Sequence, residues 1–277
     1  MQKNMSKSKK RKSKKIQSNN PSNKNNTNQS VQNNTISLAW MYPDILNLHG
    51  ERGNAQCFKY VAEKLNIELN IERIDDIEAK IDFDKYDILL FNCGELKVVP
   101  TILEFLKPQL NSLKKYIKMG KYLISTGTTS AFLGNKITLQ SGDTFNGLNI
   151  INCDFKERDM VIGDDIYFTL ANGQEIVGSQ IQMVDVNINN EKPLGSISYG
   201  YGNIANNYEG VRKNNLIFTN CLGPVFVKNP WFAEDIIRDI CKKKNIQISK
   251  NIKPNFEIEK NSLEATKTFI NNKCSNV

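Results

Sequence analysis

The 277-residue chain carries 37 lysines and arginines against 29 acidic residues, a formal net charge of +8, with 39% hydrophobic residues. Nine of the basic residues (Lys3, Lys7, Lys9, Lys10, Arg11, Lys12, Lys14, Lys15 and Lys24) fall in an amino-terminal stretch that has no acid, leaving 28 basic against 29 acidic residues in the body. The basic balance therefore belongs to the tail and gives no ground for a basic groove on the fold, while the apolar runs are too short and interrupted to span a bilayer. Six cysteines are spaced singly, with no CxxC pair and no secretory h-region, which fits free thiols in a reducing cytoplasm. No metal site or cofactor is expected.

Residues 1–35 hold almost nothing apolar and are expected to stay disordered, since they cannot bury enough surface to offset the entropy of ordering. The run Lys7 to Lys15 offers weak, salt-sensitive contact to RNA or an anionic membrane, with a solvated tail of biased composition as the plainer reading. Residues 36–248 then read as one α/β domain and 249–277 as a charged extension, with one helix around Leu263 to Ile270 and a frayed end.

Within the domain, Ile36 to Trp40 is a short buried strand, followed by a loop from Met41 to Asn54 that contains His49, the one histidine of the chain. Phe58, Val61, Ala62 and Leu65 give a helix face, and Ile67 to Ile74 alternates as a second strand. Asp87 to Phe91 is an apolar strand ending in Asn92-Cys93-Gly94-Glu95. A long amphipathic helix spans Val98 to Met119 with a break at Pro108, and Gly120 stops it. Alternating strands and helices imply a largely parallel sheet flanked by helices, with ligands at the carboxyl ends of its strands.

Tyr122 to Ser125 is β-leaning and meets a small-residue turn, Thr126-Gly127-Thr128-Thr129, before one helical turn ending on Gly134. Such a strand-turn-helix elbow holds the nucleophile in many α/β enzymes, with backbone N–H groups ready for an oxyanion. Here its tip is glycine. Beyond Thr138 the texture turns to strands: Asp159 to Leu170, Glu175 to Val186, Gly195 to Tyr199 and Leu216 to Asn220, with turns at Gly163-Asp164, Asn172-Gly173 and Asn189-Asn190. A last helix, Pro230 to Lys244, begins with proline at a favourable position.

Taken together, several stretches resemble one family. Met41-Tyr-Pro-Asp-Ile-Leu-Asn-Leu-His-Gly-Glu-Arg-Gly-Asn54 is similar to the opening motif of the GatD-like glutamine amidotransferases, the glutaminase subunits of lipid II isoglutaminyl synthase, related to the glutaminase domain of cobyric acid synthase. Further likeness lies in Gly120 to Gly134, Gly142 to Leu148, Pro193 to Asn203, Glu209-Gly210 and Gly223 to Pro230, in collinear order over about residues 36–245. The resemblance implies a class I amidotransferase fold that hydrolyses glutamine and hands ammonia to a Mur-ligase-like, ATP-using partner, which amidates the D-glutamate of the peptidoglycan stem. That chemistry needs a cysteine thiolate on the elbow, a histidine as proton carrier and N–H donors for the oxyanion.

Matched to that family, this sequence departs where the chemistry sits. The nucleophile falls on Gly127, and the histidine before Gly-Pro falls on Leu222. The glycine-rich oxyanion strand end reads Asn92-Cys93-Gly94, and an arginine that holds the glutamine carboxylate corresponds to Met160 before Gly163-Asp164. Cys93 is expected to project from the wrong strand end, Cys221 to be a buried small hydrophobe, and Thr126 or Thr128 to lack a base. His49 is expected to be an ordinary loop residue. A catalytically dead subunit is therefore expected, docking on a Mur-ligase-like protein or an active amidotransferase paralogue as scaffold or regulator. The alternatives are a repurposed small-molecule binder with Asn92, Cys93, Gly94, Thr126, Gly127, Thr128 and Met160 around its pocket, and an RNA- or membrane-surface protein acting through its tail.

Overall fold

A computed structural model describes residues 34–204 and 207–275; the basic tail, its expected disorder and the run Lys7 to Lys15 lie outside the described residues. Strands β1 (Thr35–Met41), β2 (Glu68–Ile74), β3 (Ile88–Phe91) and β4 (Tyr122–Thr126) alternate with helices α1 (Arg52–Lys64), α2 (Val99–Leu106) and α3 (Leu110–Lys118). β1 begins at Thr35, paired with Glu68, one position inside the expected tail. The break at Pro108 is a single 3-10 turn, Lys107–Gln109, between α2 and α3, because proline supplies no N–H to the helical ladder. Gly120, at φ +73°, ends α3.

The remainder comprises β5 (Lys136–Thr138), β6 (Thr144–Asn146), β7 (Asp154–Leu170), β8 (Glu175–Asn187), β9 (Gly195–Tyr199), β10 (Tyr208–Glu209), β11 (Val211–Lys213), β12 (Leu216–Thr219) and β13 (Cys221–Leu222), then α4 (Val225–Lys228), α5 (Pro230–Lys243) and α6 (Glu257–Ser275). β7 starts earlier than its alternation suggests. Gly163-Asp164 is not a turn: both residues sit inside β7, paired with Ile181 and Gln180, and the irregularity lies instead between Glu157 and Ile162. The two- and three-residue strands were invisible in the sequence because only a partner strand defines them.

The central sheet runs β11-β12-β4-β3-β1-β2 and is parallel except for β11, which pairs antiparallel with β12. Its faces follow the strand period of two. In β1, Ile36, Leu38 and Trp40 join the core beneath α1 and α5, with Phe58, Val61, Phe232 and Ile236. Ala39 and Met41 point the other way, to the core under α2 and α3, with Phe91, Leu103, Leu113 and Phe132. β5 to β10, together with β13, build the second sheet, the β-rich addition of the carboxyl half. Since β1 has β2 on one side and β3 on the other, the chain reverses its winding there. The carboxyl ends of β1, β3 and β4 therefore open on the point where α/β sheets usually place their chemistry.

The carboxyl extension is longer in helix than expected. α6 covers Glu257–Ser275 and buries Leu263 and Ile270, while Lys267 and Lys273 reach Glu175 and Asp164 on the second sheet at 3.0 and 2.7 Å. Partly exposed ion pairs of this kind contribute about 0–1 kcal/mol each, so the apolar contacts hold the helix. Leu263→Ala is expected to lower stability by about 2–3 kcal/mol and Lys273→Ala by less than about 1 kcal/mol; urea melts that reverse this order would show charge, not burial, seating α6.

Candidate functional site

The elbow forms as expected in position, although its helical turn is a 3-10 segment, Gly127–Leu133, every residue of which is buried. β4 ends at Thr126 and the chain turns on Gly127 at φ +62°, a left-handed conformation that costs side-chain-bearing residues about 1–2 kcal/mol. What surrounds the glycine is informative. An ideal Cβ on Gly127 would lie 2.6 Å from Cys93 Sγ and 3.1 Å from both Cys93 Cβ and Leu222 Cδ2. Three positions far apart in the chain thus share one small volume, and two of them fill the space a side chain at the third would need.

The expectation for Cys93 is corrected by this geometry. Its sulfur does not project from the wrong strand end: β3 pairs directly with β4, Phe91 opposite Ser125, so the residue just past β3 leans over the elbow tip. Burial pushes the Cys93 thiol up to about 12, opposed in part by the nearby backbone N–H groups of Thr128 and Thr129. It is a protonated, enclosed thiol at neutral pH, the opposite of an activated one. Cys221, as expected, is a buried small side chain, its thiol held well above the ordinary range by burial.

One residue that sequence reasoning passed over organises the site. Glu51, fully buried, accepts hydrogen bonds from Gly223 N at 2.9 Å, Thr126 Oγ1 at 2.9 Å and Asn54 Nδ2 at 2.7 Å. Desolvation raises its carboxyl to about 7, against the pull of those three donors. Asn54 in turn accepts from Phe226 N at 3.1 Å and donates to Asn92 Oδ1 at 3.3 Å. Glu51, Asn54, the elbow and the Gly223–Phe226 segment are thereby tied into one buried polar knot. Gly53 allows the approach, since a Cβ there would meet Pro224 Cγ at 2.6 Å. The signal was present in the Gly-Glu-Arg-Gly-Asn stretch, but nothing local says that its carboxylate turns inward.

A second buried carboxyl does similar work one strand away. Glu209 accepts from Thr219 Oγ1 at 2.7 Å and Asn220 N at 2.6 Å, with burial the largest influence on its raised pKa. It fixes the end of β12 that leads into Leu222. Beside it Gly210, at φ +52°, would place a Cβ 2.1 Å from Phe218 O, so the Glu-Gly pair is a packing requirement.

Of the residues expected around a pocket, Asn92, Cys93, Gly94, Thr126, Gly127 and Thr128 converge and all are buried. Met160 does not join them. It is 78% exposed in the irregular part of β7, because the residues between Glu157 and Ile162 bulge out of the ladder. Two of the elbow hydroxyls are committed internally: Ser130 donates to Ser125 Oγ at 2.8 Å, and Thr129 Oγ1 accepts from Gly94 N at 2.6 Å. Thr126 does have a carboxylate neighbour, contrary to the expectation that it lacks a base, but both groups are sealed from solvent. His49 is exposed at φ 58°. Among the described residues no cluster of His, Cys, Asp and Glu is placed to hold a metal ion, and no helix is long and apolar enough to cross a membrane.

No family model matches the chain. It is 28% identical over 210 residues to the lipid II isoglutaminyl synthase (glutamine-hydrolyzing) subunit GatD of Staphylococcus aureus (strain N315), covering 73% of this chain and 83% of that protein. To the subunit of the same description from Streptococcus pneumoniae (strain ATCC BAA-255 / R6) it is 27% identical over 223 residues, covering 76% and 82%. A solved structure described as a glutamine amidotransferase aligns with a TM-score of 0.44 at 14% identity, over 69% of this chain and 93% of that one. Over about three quarters of its length the chain is thus similar to the GatD subunits of lipid II isoglutaminyl synthase.

Proposed function

We propose that this GatD-like chain does not hydrolyse glutamine and acts as a scaffold or regulatory subunit. Its partner would be a Mur-ligase-like, ATP-using protein or an active amidotransferase paralogue in the cytoplasm, in the amidation of lipid II. The observation that carries the reading is the filled volume over Gly127. Where the family resemblance calls for a cysteine on the elbow and a glycine-rich neighbouring strand end, this chain has Gly127 and Cys93, and the Cys93 sulfur lies within 2.6 Å of where a side chain at Gly127 would begin. Leu222 stands where the resemblance calls for histidine, also against Gly127. A thiol buried at this depth, its pKa pushed up by desolvation, is neither ionised nor reachable, and loss of a nucleophile or base commonly costs about 10⁴-fold or more.

A small-molecule reading of the elbow is disfavoured by the same packing, since the hydroxyls of Thr126, Thr129 and Ser130 already have protein partners and Thr128 is buried. The partner reading is supported by the relatives, which are described as subunits of a synthase. Purified chain is expected to release no ammonia from glutamine above background, and a tagged copy from its source cells should recover a ligase or amidotransferase. Glutamine-dependent ammonia release that disappears in Cys93→Ala would overturn the loss of hydrolysis. Recovery of neither partner under conditions that hold such complexes together would remove the scaffold role.

A further inference from the structure

We propose that a cavity at the opposite end of β4 from the elbow binds a small zwitterion, an amino acid or short peptide with free amino and carboxyl groups. The cavity, of about 960 Å³, lies between α5, the β7–β8 turn and the turn joining β11 to β12. Tyr122, the first residue of β4, borders it, whereas Thr126 at the last position belongs to the elbow. Four residue steps along a strand are roughly 13 Å. The cavity is therefore a separate place, and the inference does not rest on the fate of the elbow.

Its walls carry opposite charge and leave it unjoined. Lys192 and Arg212 line one side as backbone neighbours, Arg212 N donating to Lys192 O at 3.0 Å. Asp235 and Asp239 line another, one turn apart on α5. Asp239 is engaged, accepting from Tyr122 OH at 2.7 Å and pairing with Lys243 at 2.6 Å. Asp235 accepts hydrogen bonds from the neutral side chains of Asn172, at 2.9 Å, and Gln174, and among the described residues it forms no ion pair. Among the described residues neither Lys192 nor Arg212 forms an ion pair, and the guanidinium of Arg212 makes one long contact, 3.4 Å from Nε to Asn214 O. Arg212 nevertheless acts electrostatically on both aspartates, which places the two walls within each other's field across the gap.

Opposed charges separated by a ligand-sized space, over a floor that includes Leu194 and Phe232, match the usual make-up of a small-molecule site: apolar area with a few polar groups that fix orientation. The ligand carboxylate meets the Arg212 fork, and its ammonium meets Asp235. A ligand with only one of the two charges leaves the other wall unanswered.

The full chain is titrated with alanyl-alanine, N-acetyl-alanyl-alanine, alanyl-alanine amide and inorganic phosphate, following thermal unfolding and heat of binding. The free dipeptide is expected to raise Tm by a few degrees at millimolar concentration, each capped form to bind about tenfold more weakly, and phosphate to bind weakest. Arg212→Ala and Asp235→Asn should each weaken the dipeptide about tenfold. If either fails to fold, the exposed Lys192→Ala replaces it, with a loss of about threefold expected. No binding of the free dipeptide, equal binding of the capped forms, a full response to phosphate alone, or dipeptide affinity unchanged in the folded variants would each overturn the proposal.

Discussion

Gly127→Cys, which puts back the side chain the family resemblance calls for, is expected to destabilise the chain by about 2–5 kcal/mol. Two costs add. The backbone at φ +62° disfavours any residue with a Cβ by about 1–2 kcal/mol. The new Cβ would also arrive 2.6 Å from Cys93 Sγ, well inside contact distance, and overpacking of a closed core costs about 1–3 kcal/mol. The second cost depends on Cys93, so Cys93→Ala should recover most of it, leaving the backbone share and some crowding from the Cys93 Cβ at 3.1 Å. In a double-mutant cycle followed by urea melts the two substitutions should couple by about 1–2 kcal/mol. Additivity within about 0.5 kcal/mol would mean that the sulfur does not occupy the nucleophile's space. The same crowding predicts that Gly127→Cys with Leu222→His does not by itself restore hydrolysis while Cys93 remains.

Removing the Glu51 carboxyl should be comparably costly. In Glu51→Ala three donors that are now satisfied, Gly223 N–H, Thr126 Oγ1–H and Asn54 Nδ2–H, lose their acceptor in a buried site. At about 1–3 kcal/mol for a buried unsatisfied group, partly relaxed, the loss should be about 3–5 kcal/mol. The pH dependence has a defined sign. Burial raises the folded carboxyl to about 7, above its ordinary value of 4.5, so between those values the folded chain holds a proton that the unfolded chain has released. The contribution of this group is therefore fully present below about pH 4.5 and is lost as the pH rises through about 7, by up to about 3 kcal/mol. Glu51→Gln, which cannot ionise, should lose least relative to the native chain at pH 8 and most near pH 5. Stability differences that are flat across that range would place the Glu51 titration elsewhere.

Sequence pattern carried the parts of this molecule whose cause is local. β1, β3, β4, the helix face of Phe58, Val61 and Ala62 and the break at Pro108 follow from periodicity and from what proline and glycine do to a backbone, and each was legible without a partner. The elbow was legible for the same reason, because a short strand, a small-residue turn and a glycine leave few other conformations. Short strands such as β10 and β13, and the position of the irregularity in β7, were not, since pairing with a distant strand defines them. The misplaced turn at Gly163-Asp164 shows the limit: glycine before aspartate favours a turn in isolation, and twelve residue pairs with β8 overrule it.

For the site, the sequence by itself determined that the one imidazole of the chain is in the loop after β1 and that glycine stands at the elbow tip. It could not say which way Cys93 points, that Glu51 is drawn inside by three donors from three segments, or that Met160 stands in solvent. Those outcomes were decided only when β3 paired with β4, β13 of the second sheet came against the elbow and β7 met β8, because contact between residues so far apart along the chain depends on sheet order and register, and a burial cost such as that of Glu51 exists only once the surrounding walls are in place.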